Sequence, residues 1–228
     1  MQSWYAVWNQ RSGDSGADPL QFLIELDGFD SGAGRIDAQD WRAYARDICK
    51  RLRLGAGESV YEVGCGAGAF LYALRELGMQ VGGLDYSSAL IQHARAAMSD
   101  AEFQHGEACH LEMLPRYDVV LANSVFHYFS DLQYAEEVLD RMLNKAERAV
   151  AILEVPDLST RDEAERIRRD ILSPADYEKK YRGLEHQYYA REWFHRQAAK
   201  RGLSCQAFDQ CISNYAQSSY RFNCLISK

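Results

Sequence analysis

The stretch Tyr61-Glu62-Val63-Gly64-Cys65-Gly66-Ala67-Gly68 joins a β-rich run, Ser59-Val60-Tyr61-Glu62-Val63, to a helical pattern over 69–77. In an open α/β sheet such a strand-to-helix turn lies at the carboxyl edge, where ligands bind. Glycines there allow the backbone to approach a ligand closely, and the helix that follows offers free amides. The spacing is G-x-G-x-G, one residue shorter than the dinucleotide fingerprint G-x-G-x-x-G. Asp85 lies 21 residues after Gly64, at the end of the next strand pattern, and can accept two hydrogen bonds from a ribose diol. Tyr86-Ser87-Ser88 supplies no Arg for a 2′-phosphate. A nicotinamide-dependent oxidoreductase is therefore kept only as a rival.

Working outward, β and α patterns alternate. Strands are expected over 59–63, 80–84, 102–105, 117–122 and 149–155, with helices over 69–77, 88–98 and 131–144. The run Tyr117-Asp118-Val119-Val120-Leu121-Ala122 reads as a strand buried on both faces. This alternation implies a parallel sheet covered by helices on both sides. Ahead of it, 19–26 and 38–54 read as helices separated by the turn-rich 28–34. Behind it come a charged helical stretch over 160–182, a helix over 190–200 and strands over 203–209 and 220–226. The last two strands have too short a link for a parallel crossover, so they pair antiparallel. We expect a doubly wound α/β fold with a seven-stranded, mostly parallel sheet. Its parts are a helical cap (1–57), a core that carries the glycine turn (58–158), a charged helical insertion (159–189) and a terminal helix with antiparallel strands (190–228).

Composition narrows the function classes. The 228 residues are 47% hydrophobic and carry 26 basic against 33 acidic side chains, a formal charge of −7. An acidic chain has no global field for phosphate backbones, so nucleic acid is not an expected partner. No apolar run approaches the roughly 20 residues that span a bilayer, and the first residues lack a leader pattern. Six cysteines without a CxxC pair point to reduced thiols in a cytoplasmic protein and to no metal site.

The segments YEVGCGAG (61–68), GLDYS (83–87), GEA (106–108) and YDVVLANSVFHYFSD (117–131) together resemble the class I S-adenosylmethionine-dependent methyltransferases. The match covers 59–156, and the terminal antiparallel pair is similar to that family's reversed last strand. The resemblance implies S-adenosyl-L-methionine as cofactor. It implies that the backbone of Gly64, Cys65, Gly66 and Gly68 lines the methionine and sugar, and that Glu62 meets the methionine amino group. Asp85 would bind the ribose hydroxyls, Tyr86 would lie against adenine, and Glu107 with Ala108 would border its edge. Glu107 stands where the family usually has Asp.

Asn123 to His127 would leave the fourth strand beside the transferred methyl group. No proline follows Asn123, unlike enzymes that methylate exocyclic base nitrogens. The acceptor expected is a small molecule, methylated at oxygen rather than nitrogen. A hydroxyl acceptor needs a base near neutral pH, and His127 and His186 are the candidates. His127 could instead only shape the cofactor pocket, and His186 could be a surface residue. Alternatives are a protein or tRNA acceptor, or a non-catalytic S-adenosylmethionine sensor.

Two flanking segments keep two readings each. Trp4, Tyr5 and Trp8 share a helical face that could close over the cofactor or merely pack on the core. The charged stretch could be a solvated face, or a lid on which Arg166, Arg168 or Arg169 meets an anionic acceptor. Tyr215 could reach the pocket mouth or pack the sheet.

Overall fold

Five strands alternate with helices as the hydrophobic pattern predicts: β1 (Ser59–Val63), β2 (Gln80–Asp85), β3 (Glu102–His105), β4 (Tyr117–Asn123) and β5 (Ala146–Pro156). Two more follow, β6 (Ser204–Asp209) and β7 (Arg221–Ser227). The computed structural model describes residues 4–9, 18–29, 36–170, 173 and 185–228. The strands form one seven-stranded sheet in the order β3-β2-β1-β4-β5-β7-β6. β7 runs antiparallel to both neighbours, and the other described pairings are parallel. Strand order reverses between β1 and β4, which opens a crevice at their carboxyl ends.

The period-two pleat divides the core. Val60, Val119, Leu121, Ala151 and Leu153 face one layer, made by α2 (Pro19–Leu26), α3 (Ala38–Leu52), α4 (Ala69–Glu76) and α5 (Ser88–Ala97). Tyr61, Val63, Val120, Val150 and Ile152 face the other, made by α6 (Leu132–Lys145) and α8 (Arg191–Ala199). Side-chain caps start four of these helices: Asp18 on α2, Asp37 on α3, Ser87 on α5 and Asp131 on α6. The short α1 (Trp4–Trp8) precedes them, and α7 (Arg161–Asp170) follows β5.

Two boundaries depart from the sequence reading. α6 runs to Lys145 and passes straight into β5, because Ala146 already pairs with Tyr117 across a register shift. α3 stops at Leu52, where Arg53 takes a left-handed conformation with φ 52°. The charged stretch is helical over Arg161–Asp170; apart from Ser173, its continuation through Arg182 lies outside the described residues, as do the Arg168 side chain and 30–34 of the turn-rich segment.

Candidate active site

The crevice holds a cavity of about 300 Å³, at the lower end of the range for small-molecule sites. One wall is the glycine turn. Gly64 and Gly66 have φ of 75° and 55°, a region that glycine enters without cost. The amides of Gly64 and Cys65 both donate to Leu84 O, at 2.7 and 3.0 Å, which ties the turn to the end of β2. Gly68 is not on the cavity wall. It is the N-cap of α4 with φ 87°, where a Cβ would come within 2.7 Å of Met98 Cε.

Asp85 faces the same space from the end of β2. Its Oδ2 accepts from Gly66 N at 2.8 Å and its Oδ1 from Ser87 N at 2.7 Å. Burial pushes its pKa up to about 6, while the two amides pull the other way. Glu62 is 2% exposed, and its Oε2 has no hydrogen-bond partner among the described residues. Burial raises its pKa well above the carboxylate range, and the charges of Asp27 and Asp85 push it the same way. Tyr86, Glu107 and Ala108 line the far end, and Asn123 lines the β4 side. The cavity thus brings together Glu62, Gly64, Cys65, Gly66, Asp85, Tyr86, Glu107, Ala108 and Asn123.

His127 and His186 meet each other instead. Their rings lie 4.7 Å apart edge to face, and neither is among the cavity's lining residues. Trp4 and Tyr128 stand between, lining the cavity and packing on His186 at 5.1 and 5.6 Å. Trp8 also lines the cavity, so α1 closes over it; of the Tyr5 side chain nothing is described. Arg166 and Arg169 are 64% and 63% exposed and sit near Glu163, Asp170 and Glu165 of their own helix, the pattern of a solvated face. Tyr215 is not among the cavity's lining residues and donates to Glu154 Oε1 at 2.6 Å.

Three residues had no sequence signal. Asp27 follows α2, and its carboxylate accepts from Ala67 N at 2.6 Å and Ala69 N at 3.0 Å, capping α4 from outside. Trp41 of α3 lines the cavity beside Phe29 and Phe70. Glu154, at the end of β5, has φ 58° and is fully buried with Arg221 Nε 2.9 Å away. An Asp after an unremarkable amphipathic helix and a Trp at core spacing look like structural residues in a single sequence.

The residues present fit a ligand with an adenosine part and a cationic amine. A carboxylate sits at the strand end, an orphaned buried carboxylate oxygen marks the glycine-turn end, and the lining holds four carboxylates. Among the described residues, no Lys, Arg or His side chain lines it.

Comparison with known proteins agrees. Residues 61–148 match the family model described as a methyltransferase domain. The chain is 28% identical over 155 residues to the probable non-canonical nonribosomal peptide synthetase CymA of Salinispora arenicola, covering 63% of this chain but about 2% of that protein. Among solved structures, the plantazolicin methyltransferase BpumL with bound S-adenosylhomocysteine superposes with TM-score 0.66 and 15% identity, over 93% of this chain and 91% of that one. The amino pentose methyltransferase CalS10 of Micromonospora echinaspora gives 0.65 and 10%, over 95% and 99%. Magnesium protoporphyrin IX methyltransferase of Synechocystis gives 0.64 and 16%, over 95% and 90%. At these identities the solved structures show the fold alone. Residues 61–148 of this chain are thus similar to a methyltransferase domain, and its fold is that of the solved S-adenosylmethionine-dependent methyltransferases.

Proposed function

We propose that this enzyme methylates a small-molecule acceptor, at oxygen in preference to nitrogen, with one histidine of the His127–His186 pair as the base. The observation that carries the reading is the convergence of these two rings, 59 residues apart in sequence, beside the end of β4. The cofactor supplies an electrophilic methyl group. The chain's own work is to orient it, exclude water and take a proton from the acceptor. Glu62 receives the ammonium, Asp85 the ribose diol, and Tyr86, Glu107 and Ala108 border the adenine. Trp4 and Trp8 close the cavity, and Tyr128 with His186 forms the wall through which the acceptor is reached. Residues 1–57 then act as a cap, and 159–189 complete the acceptor side.

A second reading is an acceptor carried on a peptide. The sequence match to a nonribosomal peptide synthetase favours it, although this chain spans only about 2% of that protein's length.

The test is release of S-adenosylhomocysteine over a panel of phenols, hydroxy acids, amines and short peptides, followed by kcat/KM against pH. With a hydroxyl acceptor, His127→Ala or His186→Ala should lower kcat about 10²- to 10⁴-fold and remove the basic group's limb from the pH profile. Cofactor affinity should stay nearly intact. Wild-type rates and an unshifted limb in both variants would remove the histidine base. Turnover confined to amines would overturn oxygen as the acceptor atom.

A further inference from the structure

The reading of the cavity as a cofactor site leaves one end of the ligand without a receptor. The amino-acid end of S-adenosylmethionine carries a carboxylate as well as an ammonium, and the cavity's charged lining is wholly acidic: Asp27, Glu62, Asp85 and Glu107. A helix N-terminus usually serves an anion. Here the start of α4 is already taken, because Asp27 accepts from Ala67 N and Ala69 N. A ligand carboxylate therefore needs a neutral donor at the glycine-turn end.

Trp41 meets that need. It is 0% exposed, and its indole Nε1 is a buried donor with no partner among the described residues. An unsatisfied buried N–H is uncommon in native proteins and asks for an explanation. The residue lines the cavity, and its ring packs 4.5 Å from Phe29 and 6.0 Å from Phe70. Phe29 lies two residues after Asp27, and Phe70 follows Ala69. The indole is thus held beside the residues that flank the glycine turn and its Asp27 cap. The same cavity holds one orphaned buried acceptor, Glu62 Oε2.

We propose that Trp41 is the carboxylate donor of the cofactor site: its Nε1–H donates to the ligand carboxylate while Glu62 accepts from the ammonium. The pair makes the cavity selective for adenosyl ligands that keep an intact α-amino acid. This rests on the cofactor assignment of the cavity.

Titration calorimetry with two ligands tests it. S-adenosylhomocysteine has the amino-acid end, and 5′-methylthioadenosine lacks it. Trp41→Phe keeps an aromatic ring against Phe29 and Phe70 but removes the donor. It should weaken S-adenosylhomocysteine about tenfold, as expected for a hydrogen bond to a charged group, and leave methylthioadenosine within about twofold. Equal weakening of both ligands would make Trp41 a packing residue, and no change in either would remove it from the site; both outcomes overturn the proposal. Wild-type protein that binds neither ligand would overturn the cavity assignment and the Trp41 role together.

Should Trp41→Phe not fold, the Trp4→Phe/Trp8→Phe protein provides the second measurement. Only the Trp41 and Trp193 indoles remain in it, and Trp193 is not on the cavity wall. With ¹⁵N-labelled tryptophan, one indole N–H signal should move with S-adenosylhomocysteine and stay in place with methylthioadenosine. Signals that respond identically to both ligands would overturn the assignment.

Discussion

The β1–β2 edge and the β4–β5–β7 edge of the same sheet solve different problems by different means. At the first, the cavity-lining groups are local: Glu62, the glycine turn and Asp85 lie within 24 consecutive residues, and most hydrogen bonds of the turn and of Asp85 are made with backbone groups or with each other. At the second, the groups come from the whole chain. Glu154 is held by Tyr215 and Arg221, and its own amide donates to Asn223 Oδ1 at 2.8 Å. Asn223 donates to Gln210 at 3.0 Å, Gln210 to Tyr44 at 3.5 Å, and Tyr44 to Asn123 at 3.3 Å. A buried polar chain thus runs from a left-handed residue at the end of β5 to the cavity wall. Ser124, beside it at the end of β4, also has positive φ, 60°. Strained non-glycine residues are tolerated where the surroundings over-determine them, and they cluster at functional sites. The first edge makes a cavity wall largely from backbone, whereas the second makes a frame from side chains.

If that contrast is right, the two edges should fail differently. The largest effect expected is from Glu154→Ala, which leaves Arg221 buried without its counter-charge and should cost about 3–5 kcal/mol in urea or thermal denaturation. The protein that remains folded should still bind S-adenosylhomocysteine within a few-fold. A loss below about 1 kcal/mol would mean that the frame is not needed, since that is the value of an exposed pair.

Gly66→Val should do the reverse. A side chain there would overlap Asp27 Oδ1, and φ 55° disfavours a branched residue. Binding should fall by about a hundredfold or more with the circular dichroism spectrum retained. Normal binding would make the glycine a turn former only. Asp85→Ala comes next, with a loss of about tenfold or more in affinity as a charge-assisted hydrogen bond disappears. An unchanged dissociation constant in a folded variant would move the ribose elsewhere.

The smallest effect is a pH dependence. Burial raises Asp85 to about 6, above its unfolded value near 3.9. The ionised form is then the one disfavoured by folding. In ligand-free protein the stability linked to Asp85 is full below about pH 4 and declines as pH rises through 6. Glu62 shifts in the same direction. Affinity for S-adenosylmethionine should therefore weaken several-fold as pH falls from 7 to 5, because a cationic ligand needs ionised carboxylates. Calorimetry at both pH values checks this, and Asp85→Asn should flatten the part centred near 6.

The same contrast explains what could be read without coordinates. The sheet, its helices and the reversed last strand follow from periodicity, because a strand buried on both faces and an amphipathic helix each need neighbours of a particular kind. That the glycine turn, Glu62, Asp85, Tyr86 and Glu107 would line one cavity was legible because each lies next to a strand end at the carboxyl edge of the sheet. Tertiary structure alone decided the rest. Asp27 caps a helix 42 residues away, Trp41 turns a core indole toward a cavity, His186 meets His127, and Glu154 finds Arg221 across two antiparallel strands. None of these pairs has a fixed spacing. Each depends on where separate elements stop and how they pack, and in a sequence read alone each residue has a satisfactory structural use. Recognition by backbone leaves a local pattern of glycines and acids, whereas recognition by converging side chains exists only once the chain has folded.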